Sequence, residues 1–410
     1  MLERDFLMAV SRAGGRAYEV GGCVRDLLLG VKPKDKDYVV TGITIDLFEG
    51  LFPEAVAIGR GFPVYSLSIG SERCDIAFAR REAKTGGGYR GFSVMPSPDT
   101  TIEEDLFRRD LTINSIARDP ITGEMVDPYG GVRDIESGIV RATSEHFADD
   151  PVRALRAARQ SAQFGFRVDD GTIIMMRSCG DELMGEPRER VVGELSRALE
   201  CRKPSIFFRN LHAARILYAA YPWIASLAGR PQPQSRHPEG DVFEHTMEAI
   251  DAAASMTGRV EVRFAVLTHD TGKALTPDES LPRHPDHDAL GLIVIDEWNR
   301  SMRLPRRWVS CARFAIREHM RVHKRRDPEY ITDILTALRS HPIGIDGFSA
   351  VIRSDRKDLP DFIRESQAYM DAISSATSDD LPDGPTGGEI GRRIRERQIK
   401  AVSELMSRRG

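Results

Sequence analysis

Cysteine is scarce in this sequence, and no two cysteines are closely spaced. The 410 residues include five cysteines, and none of them forms a Cys-x-x-Cys pair. An odd, scattered set argues against a disulfide framework and against a zinc knuckle. Long apolar runs are also missing, since no stretch approaches the roughly 18 consecutive apolar residues that indicate a membrane-spanning helix. We therefore expect no membrane partner.

The start of the chain and the net charge argue against a secreted protein and against a molecule that is positively charged overall. The segment MLERDFLMAV contains acidic residues and no long apolar core, so we expect no secretory signal and a cytoplasmic location. The formal net charge is −4, so any nucleic-acid binding has to come from local patches. A length of 410 residues predicts about two to four domains.

One basic patch is the stretch RRWVSCARFAIREHMRVHKRR. Arg313, Arg317 and Arg321 recur every four residues there, which predicts that they share one helix face. A solvated face with Glu318 nearby explains the same pattern, because charge runs are common on exposed helices. The sequence leaves both interpretations open.

The character of the sequence changes near residue 141. Before it, DYVV, FPVYSLSI and CDIAFA predict strands that are separated by Gly and Pro signals. After it, helical periodicity dominates in DPVRALRAARQSAQF, RERVVGELSRALE, SIFFRNLHAARILYAAY, VFEHTMEAIDAAASM and the tail GGEIGRRIRERQIKAVSELMSRRG. The Pro- and Gly-rich segment 226–240 predicts a boundary. We expect an α+β head followed by an all-helical body.

Two acidic residues lie at alternating positions at the start of DYVV. Residues i and i+2 of a strand point to the same face, so Asp35 and Asp37 are predicted to face one point in space. Such carboxylates repel each other unless a cation lies between them, and Mg²⁺ accepts one or two carboxylates together with substrate phosphates. Asp75, at the start of CDIAFA, supplies a third acid, as in two-metal phosphoryl transfer. An Asp-x-Asp pair alone is weak evidence, because Asp also favours solvated turns.

A glycine pair lies upstream of these acids. Gly21 and Gly22 end the short run YEV and precede a predicted helix. Backbone N–H groups at a helix start attract phosphate oxygens, and Arg25 in the first turn is suited to clamping a triphosphate. By itself a glycine pair usually forms only a tight turn, but the combination with Arg25 and Asp-x-Asp is more specific.

The combination GGCVRDLLLG followed by KDKD resembles the signature of the class II tRNA nucleotidyltransferases, which comprise CCA-adding enzymes and bacterial poly(A) polymerases. EEDLFRRDLTINSIA, DPYGGVRDI and DDPVRALRAAR resemble the later motifs of that family, in the same order. The resemblance covers residues 1–345. It implies a polymerase-β-like nucleotidyltransferase head, with a small mixed sheet plus helices, followed by an all-α neck, body and HD-domain tail.

The resemblance also implies roles for individual residues. Asp35 and Asp37 would hold Mg²⁺, with Asp75 as the third catalytic carboxylate. Asp150 and Arg153 would read the base edge of the incoming nucleotide. Further residues implied to contact that nucleotide are Gly22, Arg25, Arg109, Arg156 and Arg159.

The implied base-reading pair is chemically sensible. Cytosine and adenine both present an amino donor beside a ring-nitrogen acceptor, which match a carboxylate and a guanidinium. Uracil and guanine present the reverse pattern, and a hydrogen-bonding site rejects such analogues by about 10⁴-fold. An N-cap at Asp149 or Asp150, before Pro151, followed by an exposed arginine face explains the motif equally well. Asp149 stands where the family usually has Glu, which puts the positioning of Arg153 in doubt.

The segment REAKTGGGYRGF at 81–92 contains three consecutive glycines flanked by Lys84 and Arg90. A plain linker explains this composition. The resemblance implies a flexible loop that is linked to the change from adding C to adding A.

Histidines cluster in the second half of the chain. Seven of the ten lie between His237 and His323. Imidazole and carboxylate together bind transition metals, although a single helical His is more often a core or surface residue. The stretch THDTGKA resembles the HD-domain metal phosphohydrolases. The implied ligands of a transition metal such as Ni²⁺ are His245, His269, Asp270 and His319, with His284 and His287 as further candidates and the closing Asp unassigned.

We therefore predict a template-independent enzyme that adds CMP, CMP and AMP to the 3′ end of tRNA from CTP and ATP. The HD domain is predicted to add phosphatase and 2′,3′-cyclic phosphodiesterase activity. The alternatives are a poly(A) polymerase, an enzyme that adds only the two C residues, and a non-catalytic RNA-binding protein. Either a monomer or a homodimer is consistent with the sequence. The predicted domains are the head 1–139, neck 140–195, body 196–240, HD domain 241–345 and helical tail 346–410.

Overall fold

The computed structural model describes residues 1–58, 64–84, 86, 92–235, 238–356, 358–376 and 387–408. The chain divides into two compact units. Unit 1 comprises Met1–Glu194 and Ile206–Ala220, and unit 2 comprises Leu195–Ser205 and Tyr221–Gly410. None of the helices in these ranges is both long enough and apolar enough to cross a membrane.

Unit 1 is built on a mixed sheet whose seven described strands lie in the order β3-β4-β5-β2-β1-β8-β9. Strands β2 and β5 run parallel, and the other neighbouring pairs in this sheet run antiparallel. Strands β6 and β7 pair separately, as do β10 and β11. The strands are β1 Arg16–Val20, β2 Asp37–Thr41, β3 Val56–Ile58, β4 Val64–Ile69, β5 Glu72–Phe78, β6 Arg80–Lys84, β7 Phe92–Pro96, β8 Ala117–Arg118, β9 Met125–Val126, β10 Ile139–Val140 and β11 Arg167–Val168.

Helices flank this sheet and continue beyond it. They are α1 Glu3–Arg12, α2 Gly22–Leu28, α3 Ile45–Leu51, α4 Ile102–Phe107, α5 Gly131–Ser137, α6 Val152–Phe164, α7 Asp170–Ser178, α8 Gly180–Leu183, α9 Arg188–Glu200, α10 Ser205–Ala213 and α11 Leu217–Ala220. Strand β2 contributes to two apolar clusters, because successive strand residues point to opposite faces. Tyr38 and Val40 pack in one cluster with Phe48, whereas Val39 packs in the other with Leu106.

Unit 2 is helical in its described residues. Its helices are α12 Pro222–Ala225, α13 Val242–Met256, α14 Val260–Thr268, α15 His287–Met302, α16 Arg306–Glu318, α17 Arg321–Lys324, α18 Pro328–Ser340, α19 Gly344–Arg356, α20 Asp361–Arg364, α21 Ser366–Ser375 and α22 Gly387–Ser407. Helix α14 is buried along most of its length, and Phe264 on it contacts the rings of Trp298 and Trp308. A helix that is apolar on all sides belongs inside a core.

The predicted fold class is confirmed: an α+β head with a mixed sheet is followed by helices. DYVV lies in β2, VYSLSI forms β4 and CDIAFA lies in β5. The helical periodicity of SIFFRNLHAARILYAAY corresponds to two helices, α10 and α11. Helix α10 ends at Ala213, because Arg215 adopts a left-handed conformation with φ of 61°, and a right-handed helix does not continue through such a residue.

The basic stretch of unit 2 is also split. Helix α16 ends at Glu318 and Arg321 begins α17, so the three arginines belong to two helices. Arg313 pairs with Asp296, and Arg317 donates to Glu318 over 2.7 Å. These pairs match the alternative interpretation, a solvated and ion-paired face.

A close backbone approach fixes the segment that follows α14. A Cβ atom added to Gly272 would lie 1.9 Å from the carbonyl oxygen of His287 and 2.4 Å from the backbone nitrogen of Gly291. Only glycine therefore lets this segment pack directly on the start of α15. The packing holds Asp270, two residues earlier, beside the first turn of that helix.

We predict that Gly272→Ala destabilises unit 2 by on the order of 3 kcal/mol, because the backbone has to move apart to admit the methyl group. The matched control is Gly258→Ala, where an added Cβ meets nothing within 4 Å, and we expect a change within about 0.5 kcal/mol. All three tryptophans lie in unit 2, so urea unfolding followed by tryptophan fluorescence measures the effect. Equal unfolding midpoints for the two variants would contradict the packing argument.

Candidate active sites

Two of the three predicted catalytic acids lie side by side at one end of the sheet of unit 1. Asp37 opens β2 and is the register partner of Asp75 in the parallel strand β5. Asp35 precedes β2 and lies outside any strand, so its position does not follow from strand alternation as predicted. Partial desolvation raises the pKa of Asp37, and the carboxylates of Asp75 and Asp35 raise it further, while Arg109 opposes them. The three acids therefore form one electrostatic group, and carboxylates of this kind suit Mg²⁺.

The glycine pair adjoins these acids through Arg109. Gly21 is the N-cap of α2 with φ of 73°, a conformation that favours glycine, and an added Cβ would lie 3.2 Å from Nη1 of Arg109. The Arg109 guanidinium also pairs with the buried carboxylate of Asp105. Glycine at position 21 therefore leaves space for the Arg109 guanidinium beside the start of α2. Gly22 is the first residue of that helix.

Arg25 is tied to several elements of unit 1. Its Nη1 donates to Oδ1 of Asn114 over 2.6 Å and to Oε1 of Gln160 over 3.3 Å, and its guanidinium lies over the ring of Phe164. It also pairs with Asp26. Arg25 therefore links α2 to α6 and to the 3₁₀ turn Thr112–Asn114. Its implied contact with a nucleotide stays a prediction.

The arginines of α6 each have a partner in the chain. Arg156 Nε donates to Oδ2 of Asp110 over 2.7 Å, and Arg153 Nη1 donates to the carbonyl oxygen of His146 over 2.7 Å. Arg159 is buried and donates to Oε2 of Glu194 over 2.6 Å. Arg153 and Arg156 keep partial exposure, whereas Arg159 lies inside the unit.

In the predicted base-reading pair, the side chains of Asp150 and Arg153 each contact a different partner in the chain. Asp150 accepts from Nη2 of Arg190 over 2.6 Å and from the backbone N–H of Val152, while Pro151 occupies the N-cap of α6. Asp149 instead faces Nδ1 of His146 over 2.7 Å. Asp150 and Arg153 lie on the same short segment of chain, and their implied role stays a prediction.

A buried polar chain that sequence reasoning missed joins these parts of unit 1. Asn114 accepts from Arg25 and donates to Oδ1 of Asp110 over 3.0 Å, and Oδ2 of Asp110 accepts from Arg156. Burial raises the pKa of Asp110, but the charge of Arg156 and the hydrogen bond from Asn114 lower it by more, so that it lies well below its ordinary value. Both Asp110 and Asn114 lie within the motif EEDLFRRDLTINSIA, where two polar residues four positions apart are the sequence signal for this contact.

Unit 2 gathers its predicted metal ligands from separate helices. His245 lies in α13, His269 ends α14, and His319 ends α16. With Asp270 they meet at one buried point: Asp270 Oδ2 lies 3.2 Å from Nε2 of His269 and 3.8 Å from Nε2 of His245, and Oδ1 lies 3.6 Å from Nε2 of His319. The four predicted ligands are therefore brought together.

Asp355 is a candidate for the closing aspartate that the sequence left unassigned. It lies in α19 with its side chain 4% exposed, and its Oδ1 is 3.3 Å from Nε2 of His245. Asp358 lies three residues later in the same segment, IRSDRKD, and its side chain is 79% exposed. Of these two aspartates, Asp355 is the one that lies beside the histidine cluster.

The two further candidate ligands, His284 and His287, differ in whether a ring nitrogen is available to a metal ion. Both ring nitrogens of His284 are engaged, Nδ1 with Thr276 Oγ1 over 2.7 Å and Nε2 with the carbonyl oxygen of Pro231 over 2.9 Å. It therefore has no ring nitrogen to offer an ion. His287 is buried and directs Nε2 toward Oδ1 of Asp270 over 3.4 Å.

This centre contains buried polar atoms without hydrogen-bond partners, as expected of a metal-binding site. Within the described residues, His269 Nε2 and Asp355 Oδ2 are buried without a hydrogen bond. Burial lowers the pKa of His269, but the carboxylates of Asp270 and Asp355 raise it to about 9. Burial lowers the pKa of His287 to about 4. The carboxylates that raise the pKa of His269 also attract a metal cation, and the nitrogen and oxygen donors of this centre suit a transition metal.

Three family models match successive parts of the chain. A poly A polymerase head domain matches residues 17–141, a probable RNA and SrmB-binding site of polymerase A matches residues 165–227, and an HD domain matches residues 242–347. Along the chain, the three matches follow the same order as the sequence motifs.

Several curated relatives are similar over most of their length. The multifunctional CCA protein of Methylococcus capsulatus is 38% identical, with 96% of both chains covered. Those of Nitrosomonas eutropha and Acinetobacter baylyi are 39% and 37% identical, covering 88% and 95% of this chain and 88% and 97% of theirs.

Solved structures support the same fold. The Bacillus stearothermophilus CCA-adding enzyme in complex with CTP has a TM-score of 0.67 at 21% identity, covering 98% of this chain and 92% of that one. A CCA-adding enzyme with ATP has a TM-score of 0.62 at 23% identity, covering 97% and 90%.

We predict that Asp110 makes unit 1 acid-sensitive. Because its pKa is depressed by folding, its stabilising contribution is complete above the ordinary aspartate value of about 4 and is lost as the pH falls below it. We expect a loss on the order of 1 kcal/mol, since Arg156 is partly exposed. Hydrogen-exchange protection of residues 105–118 should fall more between pH 6 and pH 3 in the wild type than in Asp110→Asn. The same fall in both would remove Asp110 as the cause.

Proposed function

We propose, from the premise that this chain belongs to the family of multifunctional CCA proteins, that it builds the 3′-terminal CCA of tRNA. It adds CMP, CMP and AMP in turn from CTP and ATP, and no nucleic-acid template directs the choice. The premise rests on 38% identity over 96% of both chains with one curated member of that family. The same premise assigns a second, phosphohydrolase activity to the HD domain at 242–347.

One observation supports the transferase more than any other, namely that Asp37 and Asp75 are register partners in parallel strands. Two carboxylates at one end of neighbouring strands are costly for stability alone, because like charges raise each other's pKa. Binding RNA does not need them, since phosphate is attracted by positive charge. This arrangement favours a catalytic head over a non-catalytic RNA-binding protein.

In the proposed reaction the 3′-hydroxyl oxygen of tRNA attacks the α-phosphorus of the nucleotide. A new phosphodiester bond forms, the bond to the β-phosphate oxygen breaks, and pyrophosphate leaves. Asp35 and Asp37 would hold Mg²⁺, with Asp75 as the third catalytic carboxylate, and the ion would neutralise charge on both the attacking and the leaving oxygens. Arg109, beside the start of α2, is positioned to attract the triphosphate.

Asp150 and Arg153 are the proposed base readers. Asp150 is held by Arg190 and by the N–H of Val152, which limits the positions that its carboxylate can take. Arg153 is held through the carbonyl oxygen of His146. A side chain fixed in advance loses little entropy when it binds a base, so its hydrogen bonds discriminate more sharply.

The proposed second activity is hydrolysis of phosphomonoesters and 2′,3′-cyclic phosphodiesters in unit 2. A cavity of about 750 Å³ adjoins the histidine cluster, and His245, Asp355 and the cationic side chains Arg353 and Arg356 are among the residues that line it. His245, His269, Asp270 and His319, with Asp355 beside His245, would hold a transition metal such as Ni²⁺, which would activate water for attack on the ester. The two arginines supply positive charge that suits a phosphoester.

The proposed partners are tRNA, CTP and ATP. The helical regions beyond the head would hold the acceptor end of tRNA by shape and backbone charge. The five-part division into head 1–139, neck 140–195, body 196–240, HD domain 241–345 and tail 346–410 is retained as a proposal. The loop at 81–92, implied in the change from C to A, includes residues 85 and 87–91, which lie outside the described part of the chain.

We predict that Asp37→Ala abolishes incorporation of both CMP and AMP into tRNA that lacks its CCA end, while phosphatase activity is retained. His269→Ala should show the opposite pattern. Asp46→Ala, an exposed acidic change in the first turn of α3, is the matched control and should leave both activities intact. Labelled CTP and ATP, supplied separately and together, measure the transfer.

The same assay decides between the alternatives. Incorporation from CTP alone, followed by AMP when ATP is added, supports CCA addition. Incorporation from ATP without CTP would indicate a poly(A) polymerase, and incorporation of CMP only would indicate a CC-adding enzyme. Full activity of Asp37→Ala would refute the assignment of the head.

We predict that Asp150→Ala and Arg153→Ala relax nucleotide selection. Each removes about one charged hydrogen bond to the correct base, so the preference for CTP over UTP should fall by roughly 10- to 100-fold in kcat/KM. The control is Arg167→Ala, an exposed residue of the same unit. An unchanged CTP preference in both variants would remove these residues from base reading.

A further inference from the structure

A short 3₁₀ turn immediately precedes the two proposed base readers of unit 1. The turn covers Glu145–Asp149, and Asp150 follows it directly. Helix α6, which carries Arg153, begins two residues later at Val152. Asp150 is joined to the turn by a peptide bond, and Arg153 is hydrogen-bonded to it. A shift of this turn is therefore passed on to both readers.

The start of the turn is attached to helix α4. Ser144 Oγ donates to the carbonyl oxygen of Phe107 over 2.8 Å and accepts from the backbone N–H of His146 over 3.2 Å. The imidazole ring of His146 lies edge-on to the ring of Phe107, with the centroids 5.4 Å apart and the planes at 85°. Edge-to-face contacts of this kind are favourable. Because Phe107 is the last residue of α4, the turn is held against a regular element.

The imidazole of His146 closes the other end of the turn. Its Nδ1 lies 2.7 Å from Oδ2 of Asp149, three residues later. A carboxylate oxygen accepts, so Nδ1 carries the hydrogen and donates it. The side chains of His146 and Asp149 are 30% and 20% exposed, so water competes only in part for this contact. The contact fixes residue 149 and, with it, the peptide that leads to Asp150.

The same histidine holds Arg153 through its backbone. The carbonyl oxygen of His146 accepts from Nη1 of Arg153 over 2.7 Å. Asp149 is engaged by His146, and the carboxylate of Asp150 is engaged by Arg190. The hydrogen bond that holds the arginine is thus made by the backbone of the turn. Its direction depends on the conformation of the turn, because a hydrogen bond to a carbonyl group is directional.

Reading one base edge requires the two readers to lie at a fixed separation. The amino group and the ring nitrogen of the base are neighbours, and they need a carboxylate and a guanidinium at matching positions. A displacement of one reader therefore weakens the hydrogen bonds to the correct base, and discrimination falls because it depends on those bonds.

We propose that the imidazole of His146 is a positioning residue for nucleotide selection, which sets the separation of Arg153 from Asp150 by its hydrogen bond to Asp149. His146 itself touches no substrate atom in this proposal and acts through Arg153. It lies three residues before the motif DDPVRALRAAR, so the motif alone does not include it. The inference rests on the proposed base reading by Asp150 and Arg153.

The test compares two substitutions of this histidine in the full-length chain. His146→Leu removes the donor, whereas His146→Asn keeps an N–H donor on the atom attached to Cγ, as in the imidazole. We expect His146→Leu to lower the preference for CTP over UTP by roughly 3- to 10-fold, the effect of one hydrogen bond. His146→Asn should stay within about twofold of the wild type. The preference is the ratio of kcat/KM values for the first addition to tRNA that lacks its CCA end.

Asp149→Ala removes the same hydrogen bond from its other end and should lower the ratio to a similar extent. This second variant decides the matter if His146→Leu does not fold, which circular dichroism detects. The matched control is His212→Leu, an exposed histidine of α10 in the same unit, and its ratio should be unchanged.

A double-mutant cycle shows whether the effect passes through Arg153. With Arg153→Ala already in place, adding His146→Leu should change the ratio by less than about twofold, because the residue that it positions is absent. An equal loss in the presence and in the absence of Arg153 would overturn the proposal.

A merely structural role of His146 would lower stability, or the rates with both nucleotides equally, and would leave the ratio unchanged. An unchanged ratio in His146→Leu and Asp149→Ala, together with a lowered ratio in Arg153→Ala, would overturn this inference and leave the proposed base reading intact. An unchanged ratio in Arg153→Ala would refute base reading by that arginine, and this inference with it. Behaviour of His146→Asn like that of His146→Leu would refute the role of the Nδ1 hydrogen bond.

Discussion

Repulsion between like groups is the constraint on which both candidate sites of this protein depend. In unit 1 the parallel register places Asp37 opposite Asp75, and burial together with the charge of Asp75 raises the pKa of Asp37. In unit 2 the Nε2 atoms of His287 and His319 face each other across 3.3 Å. Each unit uses rigid backbone to hold together groups that would otherwise separate.

The backbone supplies that rigidity in two different ways. In unit 1, hydrogen bonds between β2 and β5 set the acids side by side, and a buried chain from Arg25 through Asn114 and Asp110 to Arg156 ties the surrounding helices together. In unit 2 the predicted ligands come from several helices, and the close approach of Gly272 to α15 holds Asp270 beside His287. A sheet fixes neighbours through its ladder, whereas helices fix them only through packing. The second site therefore depends more on glycine and on core residues such as Phe264.

Several residues have structural contacts that bear on their proposed roles. Arg159 is buried against Glu194, and Arg25 is engaged by Asn114 and Gln160. Such contacts hold a side chain in place, and they also compete with a ligand for its donors. Arg153 and Asp150 lie between these extremes, since each is held by one neighbour and keeps partial exposure. This combination of support and access is what a preorganised binding site requires.

The sequence by itself determined the order of the parts, the strands around Asp37 and Asp75 and the class of the fold, because these are properties of local pattern and of short motifs. It did not determine which distant residues meet. The closing aspartate was left unassigned by the sequence, and only the tertiary structure places Asp355 beside His245 with its side chain buried, whereas Asp358 is exposed. In the same way, only the tertiary structure separated His287 from His284 and revealed Asp110 between Arg156 and Asn114. Contacts between residues far apart in the chain depend on how helices pack, and no local periodicity encodes that packing.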